Sequence, residues 1–467
     1  MGWIFAETPF SAIPRSGWSP ESAEVRAAFP KRLVRMVPSS ARNWVAVNAV
    51  QQSTLNKEMK TKDMTTLRLR TSIGRSPLRP AVHPSLRAWK PLKNLSLTIA
   101  VLTTLFSAFA LISAFGQSDV SSDFLGQSNV SLYATGLNNP RGLKFGPDGN
   151  LYVAEGGFGG TVSTVGHCTQ AAGVGPYTGN PIGARISKII PTAENTGFRT
   201  TILDNLPSSQ TNPESGSLTS GVADVAFVGD TLYALLSGAG CSHGIVSHPN
   251  GVIRRNPGGN WTLIADLSAF LAAHPVAHPD PDDFEPDGTW YSMVEANGDL
   301  YALEPNHQEL DKITTAGVVT RVVDFSITYP APANWFGPTA LNFYRGNFYV
   351  GNLGPFPIVQ GSSKLLRVTP TGQIAQIGSG FTTILGIARD QAGRPYVLEN
   401  TTGNPFPTPG TGRILRMNSD GSRTVIASGL FLPTAMTFGP DGALYVSNKG
   451  FGLPPNGLGQ ILRITVP

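Results

Sequence analysis

Two closely similar stretches, PRGLKFGPDGNLYVAE (140–155) and PTAMTFGPDGALYVSN (433–448), decide the fold. Each opens with an apolar run, turns tightly at Gly-Pro-Asp-Gly, and continues in a second run centred on a tyrosine. Apolar alternation on both sides of a Gly/Asp turn is the pattern of an antiparallel hairpin. Four further copies lie between them: VADVAFVGDTLYALL (222–236), WYSMVEANGDLYALE (290–304), PTALNFYRGNFYVGN (338–352) and LGIARDQAGRPYVLE (385–399). The aligned tyrosines fall at 152, 233, 301, 349, 396 and 445.

The last three tyrosine intervals are 48, 47 and 49 residues, the period of a four-stranded propeller blade. The first two, 81 and 68, carry insertions of about 33 and 20 residues over that period. Each unit continues with a third strand: ARISKII (184–190), GVIRR (251–255), ELDKI (309–313), KLLRV (364–368), RILRM (413–417) and QILRI (460–464). A short turn then leads to a fourth, as in SRTVIAS (422–428). Tyr445 lies 22 residues from the C-terminus and Val130 lies 22 before Tyr152, together close to one period. VSLYATG (130–136) also matches the fourth-strand copy TVIASG (424–429).

The fold class is therefore all-β: a six-bladed β-propeller over residues 130–467, closed by an N-terminal strand lying outermost in the last blade. Such closure leaves no open sheet edge. Long connections follow second strands (156–183, 237–250, 400–411, 449–459) or a fourth strand (266–289). Both kinds leave an up-and-down blade on the same face. One face is plain, and the other is elaborated by loops of the sort that carry function.

Charged residues make up only 14% of the 467, which excludes a disordered acidic chain, a coiled coil and a ribosomal-type basic protein. The net charge of +5 is unevenly divided, because residues 1–94 hold sixteen Lys/Arg against five Asp/Glu. The rest of the chain is acidic, so nucleic acid is excluded as a partner. Residues 1–94 read as a basic, poorly ordered leader, 95–116 as a signal or transmembrane helix, and 117–129 as a linker. LSLTIAVLTTLFSAFALISAF (95–115) is 21 residues without a charge, enough to cross a bilayer. Arg87, Lys90 and Lys93 precede it, and no positive residue follows until Arg141. The chain after 116 is therefore expected outside the cytoplasm, either secreted or periplasmic, or held by a membrane anchor. Ala108-Phe109-Ala110 and Ala114-Phe115-Gly116 both have the small-x-small form of a cleavage site, and a start at Met59 or Met64 leaves an n-region of ordinary length. The folded part is expected to be a monomer that meets the membrane only through 95–115.

The repeat is similar to NHL and SMP-30-like six-bladed propellers. LNNPRGLKFGPDGNLYVAEGG (137–157), ADLSAFLAAHPVAHPDPDDFEPDGTWYS (265–292) and LYALEPNHQELDKI (300–313) resemble more closely the ScyD/ScyE family of exported bacterial propellers. That resemblance covers roughly 130–467 and implies a fold and an exported setting rather than a reaction. A likeness to calcium-dependent lactonases would imply acidic or amide residues opening the innermost strands, where this chain has Arg141, Ala223, Trp290, Thr339, Leu385 and Thr434. A quinone-dependent sugar dehydrogenase would need a His beside an Arg, and only Arg141 fits.

Three positions after the aligned tyrosines stand Glu155, Leu236, Glu304, Asn352, Glu399 and Asn448. With Arg141, the five polar members form a candidate ligand-binding rim at the elaborated end of the channel. The competing reading has each one accept hydrogen bonds from its own loop's backbone. Asp280, Asp282, Asp283, Glu285 and Asp287 form an acidic loop, with His274 and His278 upstream. No cofactor is expected; the one its oxygens would suit is calcium, although its prolines forbid an EF-hand winding and a solvated loop competes. His307, with Glu304 and Glu309, stands in EPNHQEL without a nucleophile at catalytic spacing, so no catalytic residue is assigned. The main reading is a binding scaffold for a protein, glycan or small molecule. The alternative is a propeller enzyme, either a cation-dependent lactonase-like hydrolase or a quinone-dependent dehydrogenase.

Cys168 and Cys241 are the only cysteines. Each falls after the second strand of consecutive blades, on the elaborated face. In an oxidising compartment they are expected to form a disulfide with an α-carbon separation near 5.5 Å.

Overall fold

The computed structural model describes residues 127–280, 285–451 and 458–467. The expected leader, the apolar segment 95–116, most of the linker, Asp282 and Asp283 lie outside the described residues. Among the described residues no helix is long and apolar enough to cross a membrane.

Six antiparallel sheets form the blades. Blade one comprises Pro140–Phe145, Leu151–Glu155, Thr178–Pro191 and Gly197–Gln210, with Thr219–Ser220 as a short fifth strand. Blade two is Val222–Val228, Thr231–Leu236, Gly251–Arg255 and Trp261–Asp266; blade three is Ser292–Ala296, Asp299–Glu304, Glu309–Ile313 and Val319–Asp324. Blade four runs through Pro338–Tyr344, Asn347–Asn352, Ser363–Val368 and Ile374–Phe381; blade five through Ile384–Arg389, Pro395–Glu399, Gly412–Met417 and Arg423–Leu430. Blade six takes Ala435–Phe438, Leu444–Asn448 and Gly459–Ile464 from the C-terminus and Val130–Leu137 from the N-terminal side. In that closing pair Val130 faces Ile464, Leu132 faces Leu462 and Leu137 faces Gly459. Each innermost strand touches those of its two neighbours, which completes the ring.

Several strands are buried almost throughout, as in Thr231–Leu236 and Asp299–Glu304, because each sheet packs both of its faces against neighbouring blades. The core is accordingly divided into six clusters, one per blade interface. Leu137, Leu143, Val153 and Ile461 pack between blades six and one, and Leu235, Val252, Trp290 and Leu300 between blades two and three.

Blade one differs from its expected form. The sequence predicts a loop over 156–183, but strand pairing begins at Thr178, which faces Gln210, followed by Gly179 opposite Ser209 and Asn180 opposite Ser208. TGNPIG has no apolar alternation to betray a strand. It is held by backbone pairing and by a close approach at Gly179, where a β-carbon would lie 2.5 Å from the His243 carbonyl oxygen. The connection 266–289 contains a short helix, Leu267–Ala273, whose N-terminus is capped by the Asp266 side chain accepting from the Ala269 N–H at 2.8 Å.

The aligned tyrosines serve the plain face. Each stands opposite a Lys or Arg on the third strand, as Tyr152 opposite Lys188, Tyr301 opposite Lys312 and Tyr445 opposite Arg463. In several blades the hairpin turn adds a carboxylate. Asp148 accepts from the Tyr152 hydroxyl at 2.9 Å and pairs with Lys188 at 2.7 Å. Asp441 likewise accepts from Tyr445 at 3.1 Å and pairs with Arg463 at 2.8 Å. Burial pushes the Asp148 and Asp441 carboxyls up, but the hydrogen bonds from Lys188, Asn150 and Tyr152 at Asp148, and those from Arg463, Ala443 and Tyr445 with the Arg463 charge at Asp441, together outweigh it and hold both below the ordinary carboxylate range. At Tyr445, burial and the Asp441 charge push the phenol up to about 12.

Folded-state values below the unfolded value of about 3.9 mean that this stabilisation is complete above about pH 4 and is lost as pH falls through the folded values. Thermal melts from pH 7 to pH 2 should show the Tm falling below about pH 4. Asp441→Asn should flatten that fall, and an unaltered acid profile in the variant would refute the assignment.

Candidate functional site

The polar rim is built into the blades rather than presented to solvent. Glu155, Glu304, Glu399 and Asn448 are fully buried and Asn352 nearly so. A buried carboxylate or amide must satisfy its lone pairs internally, and each of these does so on the connection that enters its blade's innermost strand. Glu155 Oε2 accepts from the Asn138 N–H at 2.6 Å, and its other oxygen takes Arg185 Nε at 2.8 Å and the Ser187 hydroxyl. Glu304 Oε1 accepts from the Thr289 N–H at 2.8 Å. Glu399 accepts from the Thr382 N–H at 2.6 Å and from Arg413. Asn448 Oδ1 accepts from the Phe431 N–H at 2.9 Å, while Asn352 donates to the Phe336 carbonyl at 2.8 Å. At the sixth position Leu236 has no polar group, and the backbone closes the gap through Ser237 N–H to the Gly221 carbonyl at 2.8 Å. The ring clamps the blade entries, with N–H groups of the connection that enters each blade rather than of each residue's own loop.

The acidic loop is an anchor at its described end. Tyr177 donates its hydroxyl to Glu285 Oε1, and His243 Nε2 lies 3.1 Å from Glu285 Oε2. His243 Nδ1 meets the Ser209 hydroxyl at 2.9 Å, and the His243 and Tyr177 rings pack with centroids 4.4 Å apart. Asp287 Oδ2 accepts from the Ser242 N–H at 2.6 Å and from its hydroxyl at 2.5 Å. Next to that turn Cys168 and Cys241 form a disulfide with α-carbons 6.2 Å apart. The bridge closes 73 residues, for which the chain-entropy relation gives roughly 4 kcal/mol. Asp280 lies among the described residues, and Asp282 and Asp283 lie outside them. Burial of Tyr177, reinforced by Glu285, pushes its phenol well up, so it stays a neutral donor.

The EPNHQEL cluster lies inside blade three. His307 Nδ1 stands 3.3 Å from Glu304 Oε2, and Glu309 pairs with Arg321. Asp311 accepts from the Trp290 indole N–H at 3.3 Å. Burial pushes the Glu309 and Asp311 carboxyls up; Arg321 opposes this at Glu309, and the Glu309 charge adds to it at Asp311.

At the elaborated mouth of the channel the strand-opening hydroxyls are used between blades. Thr339 donates to the Ile384 carbonyl at 2.6 Å and Thr434 to the Pro140 carbonyl at 2.7 Å. Tyr291 reaches from blade three to the blade-six Thr434 carbonyl at 3.2 Å, and burial pushes its phenol up to about 12. Arg141 donates to the Thr219 carbonyl, with its guanidinium 6.0 Å from the centroids of both the Tyr291 and Phe451 rings. A cation and two aromatics at the mouth do not fit a central calcium of the lactonase kind. Among the described residues no group of three His, Cys, Asp or Glu is placed to hold a metal.

Sequence reasoning passed over His243, Tyr177, Ser209, Tyr291 and Asp224. His243 stands in GCSHG with no partner nearby in the chain, so no local signal could have found it. The repeat alignment does place Asp224 one position after the strand-opening Ala223, and that offset was the available clue.

Fold and site together define a six-bladed β-propeller with a braced, loop-rich face. Among the solved structures it resembles are a gluconolactonase, a glucose dehydrogenase and a protein of unknown function. One is a gluconolactonase from Xanthomonas campestris, 10% identical, TM-score 0.42, covering 75% of this chain and 94% of that one. A glucose dehydrogenase is 13% identical at TM-score 0.41, covering 72% and 99%. A Bacteroides thetaiotaomicron protein of unknown function is 12% identical at TM-score 0.44, covering 73% of each. At these identities the likeness concerns the fold alone. No family model matches the chain, and no curated protein matches it.

Glu399→Ala leaves the buried Thr382 N–H unpaired and should cost about 2–3 kcal/mol in denaturant unfolding. Glu399→Gln, which keeps an acceptor, should cost less, and equal costs would refute the clamp. Asp311 has a raised folded value, so its stability contribution is intact below about pH 4 and is lost as pH rises through the folded value. Asp311→Asn should raise the Tm by a few degrees at pH 8 and leave it unchanged at pH 4.

Proposed function

We propose that the protein is an exported, ScyD/ScyE-like propeller that acts as a binding scaffold through its loop-rich face. The observation that carries this reading is a cleft of about 450 Å³ between the 158–162 loop and the inserted strands at Gly179, Asn180 and Gln210. Phe158 is 47% exposed and Val162 51% at this cleft. Exposed apolar side chains gathered on one rim, with amides beside them, are the composition of a recognition surface. The disulfide and the His243 contacts hold the flanking loops in place, and a loop that is already ordered loses less entropy on binding.

A propeller enzyme is the second reading, and one arrangement favours it. Ser209, His243 and Glu285 follow one another as hydroxyl, imidazole and carboxylate, the order of a nucleophile, its base and an orienting acid. Ser209 and His243 are fully buried, so this chain of groups reaches no substrate in the present loop arrangement.

The full chain should bind the apolar probe 8-anilinonaphthalene-1-sulfonate saturably at pH 7. Combined Phe158→Ser and Val162→Ser changes should weaken binding at least fivefold, while Val425→Ser on blade five should have no effect. Probe binding indifferent to the cleft changes sinks the scaffold reading. Turnover of δ-gluconolactone with calcium present, or labelling of Ser209 by a fluorophosphonate, would establish the enzyme instead.

A further inference from the structure

Below Tyr291 the innermost strands enclose a second cavity, of about 240 Å³, whose lining runs from Ser292 near the strand starts to Arg389 and Phe438 at their plain-face ends. It lies in the channel and does not depend on the loop-face cleft. Much of its wall is apolar: Val294, Leu341, Ile387, Met436 and Phe438. Three charged residues interrupt that wall: Lys144, Asp224 and Arg389. Asp224 is spent within the wall. Its Oδ2 accepts from the Met293 N–H at 2.8 Å, and its Oδ1 accepts from the Val225 N–H at 2.8 Å and lies 3.5 Å from Lys144 Nζ. Lys144 and Asp224 thus balance one another, and the Arg389 charge is left over.

The repeat shows why no acid balances it. In five blades the first hairpin turn carries an aspartate: Asp148, Asp230, Asp299, Asp390 and Asp441. Blade four has Tyr344-Arg345-Gly346-Asn347 instead. Arg389 comes from blade five and lies over Tyr344 and Tyr349, its guanidinium 4.5 and 4.2 Å from the ring centroids. Arg345 lies 5.1 Å from the same Tyr344 ring. Asp390, next to Arg389 in the chain, is taken by Arg394 at 2.5 Å. Arg389 Nη1 donates to the Gly393 carbonyl at 2.9 Å, while Nη2 is accessible and has no acceptor among the described residues. Burial pushes the guanidinium's pKa down, and the Arg345 charge adds to that against the two tyrosines. An anion beside Arg389 offsets both effects.

A planar guanidinium with donors to spare takes a carboxylate through charge-assisted N–H···O bonds. One negative charge on the occupant balances the lining, and a second would be left unpaired and penalised for its desolvation. The apolar wall asks for a hydrocarbon tail behind that charge. The volume equals roughly eight waters at about 30 Å³ each, space for about eight to ten heavy atoms. We propose that the channel cavity binds a small monocarboxylate with an apolar tail of about five carbons, its carboxylate on Arg389 at the plain-face end and its tail against Leu341, Ile387, Met436 and Phe438. A mostly apolar wall with few polar groups is the usual make-up of a small-ligand site.

Hexanoate is the probe. Titration calorimetry and saturation-transfer NMR on the full chain should show saturable binding with a Kd on the order of 1 mM, the range expected for so few atoms. Two comparisons need no variant: 1-hexanol has the tail without the charge, and acetate the charge without the tail. Each should bind at least tenfold more weakly than hexanoate. Arg389→Gln should weaken hexanoate binding at least tenfold. Thr437→Phe, which fills the cavity from a half-buried lining position, should abolish it and serves if the first variant does not fold. Val425→Ser, on the outermost strand of blade five, should leave it unchanged. No saturable binding up to 100 mM hexanoate, 1-hexanol or acetate binding as tightly, or affinity unaltered in both cavity variants would each overturn the proposal.

Discussion

The antiparallel pairing of Val130–Leu137 with Gly459–Ile464 joins chain segments at opposite ends of the propeller, and the ring depends on it. Without it blade six would end in an unpaired edge, the kind of strand that recruits other chains. Tyr133 and Leu137 would leave the cluster shared with blade one, and Val130 and Leu132 would leave the cluster between blades five and six. Gln127 and Asn129 extend the closure by bonding to the blade-five carbonyls of Ser428 and Ile426, at 2.7 and 3.0 Å. A contact spanning so much chain costs loop entropy, which grows only slowly with length. Apolar burial on both faces of one strand is what offsets that cost.

Closure also explains where the acidic residues went. A ring of blades brings six chain crossings to one face, each leaving backbone N–H groups that no sheet ladder satisfies. Glu155, Glu304, Glu399 and Asn448 supply the missing acceptors, and Arg185 and Arg413 balance two of the buried charges. The rim is chemically suited to ligands, yet it is committed to architecture. Open space is left in the blade-one cleft and in the channel below Tyr291.

The loop-rich face shows the same economy. His243 joins the blade-one strands, through Ser209 and Tyr177, to the connection entering blade three, through Glu285. Asp287 and the Cys168–Cys241 bridge hold the adjoining turn. Residues from three distant segments thus brace one another where no strand runs.

The repeat was legible in the sequence because it is enforced locally. A Gly/Asp turn and a period-two apolar pattern mean the same thing wherever they occur, so blade number and strand order could be read from the six copies between 140 and 464, and the closing strand from residues 130–136. The two cysteines were legible by counting from the aligned tyrosines. The inserted strand at Thr178–Asn180 was not, since it pairs through backbone alone. Neither was the role of Glu285 or His243, because a carboxylate reads the same in the chain whether it faces water, a metal or an imidazole. By itself the sequence determined the propeller and which face carries the loops, through short-range rules of turn and alternation. Only the tertiary structure decided which polar groups are spent on the fold and where cavities remain, because burial and pairing between residues far apart in the chain exist only once the ring has closed.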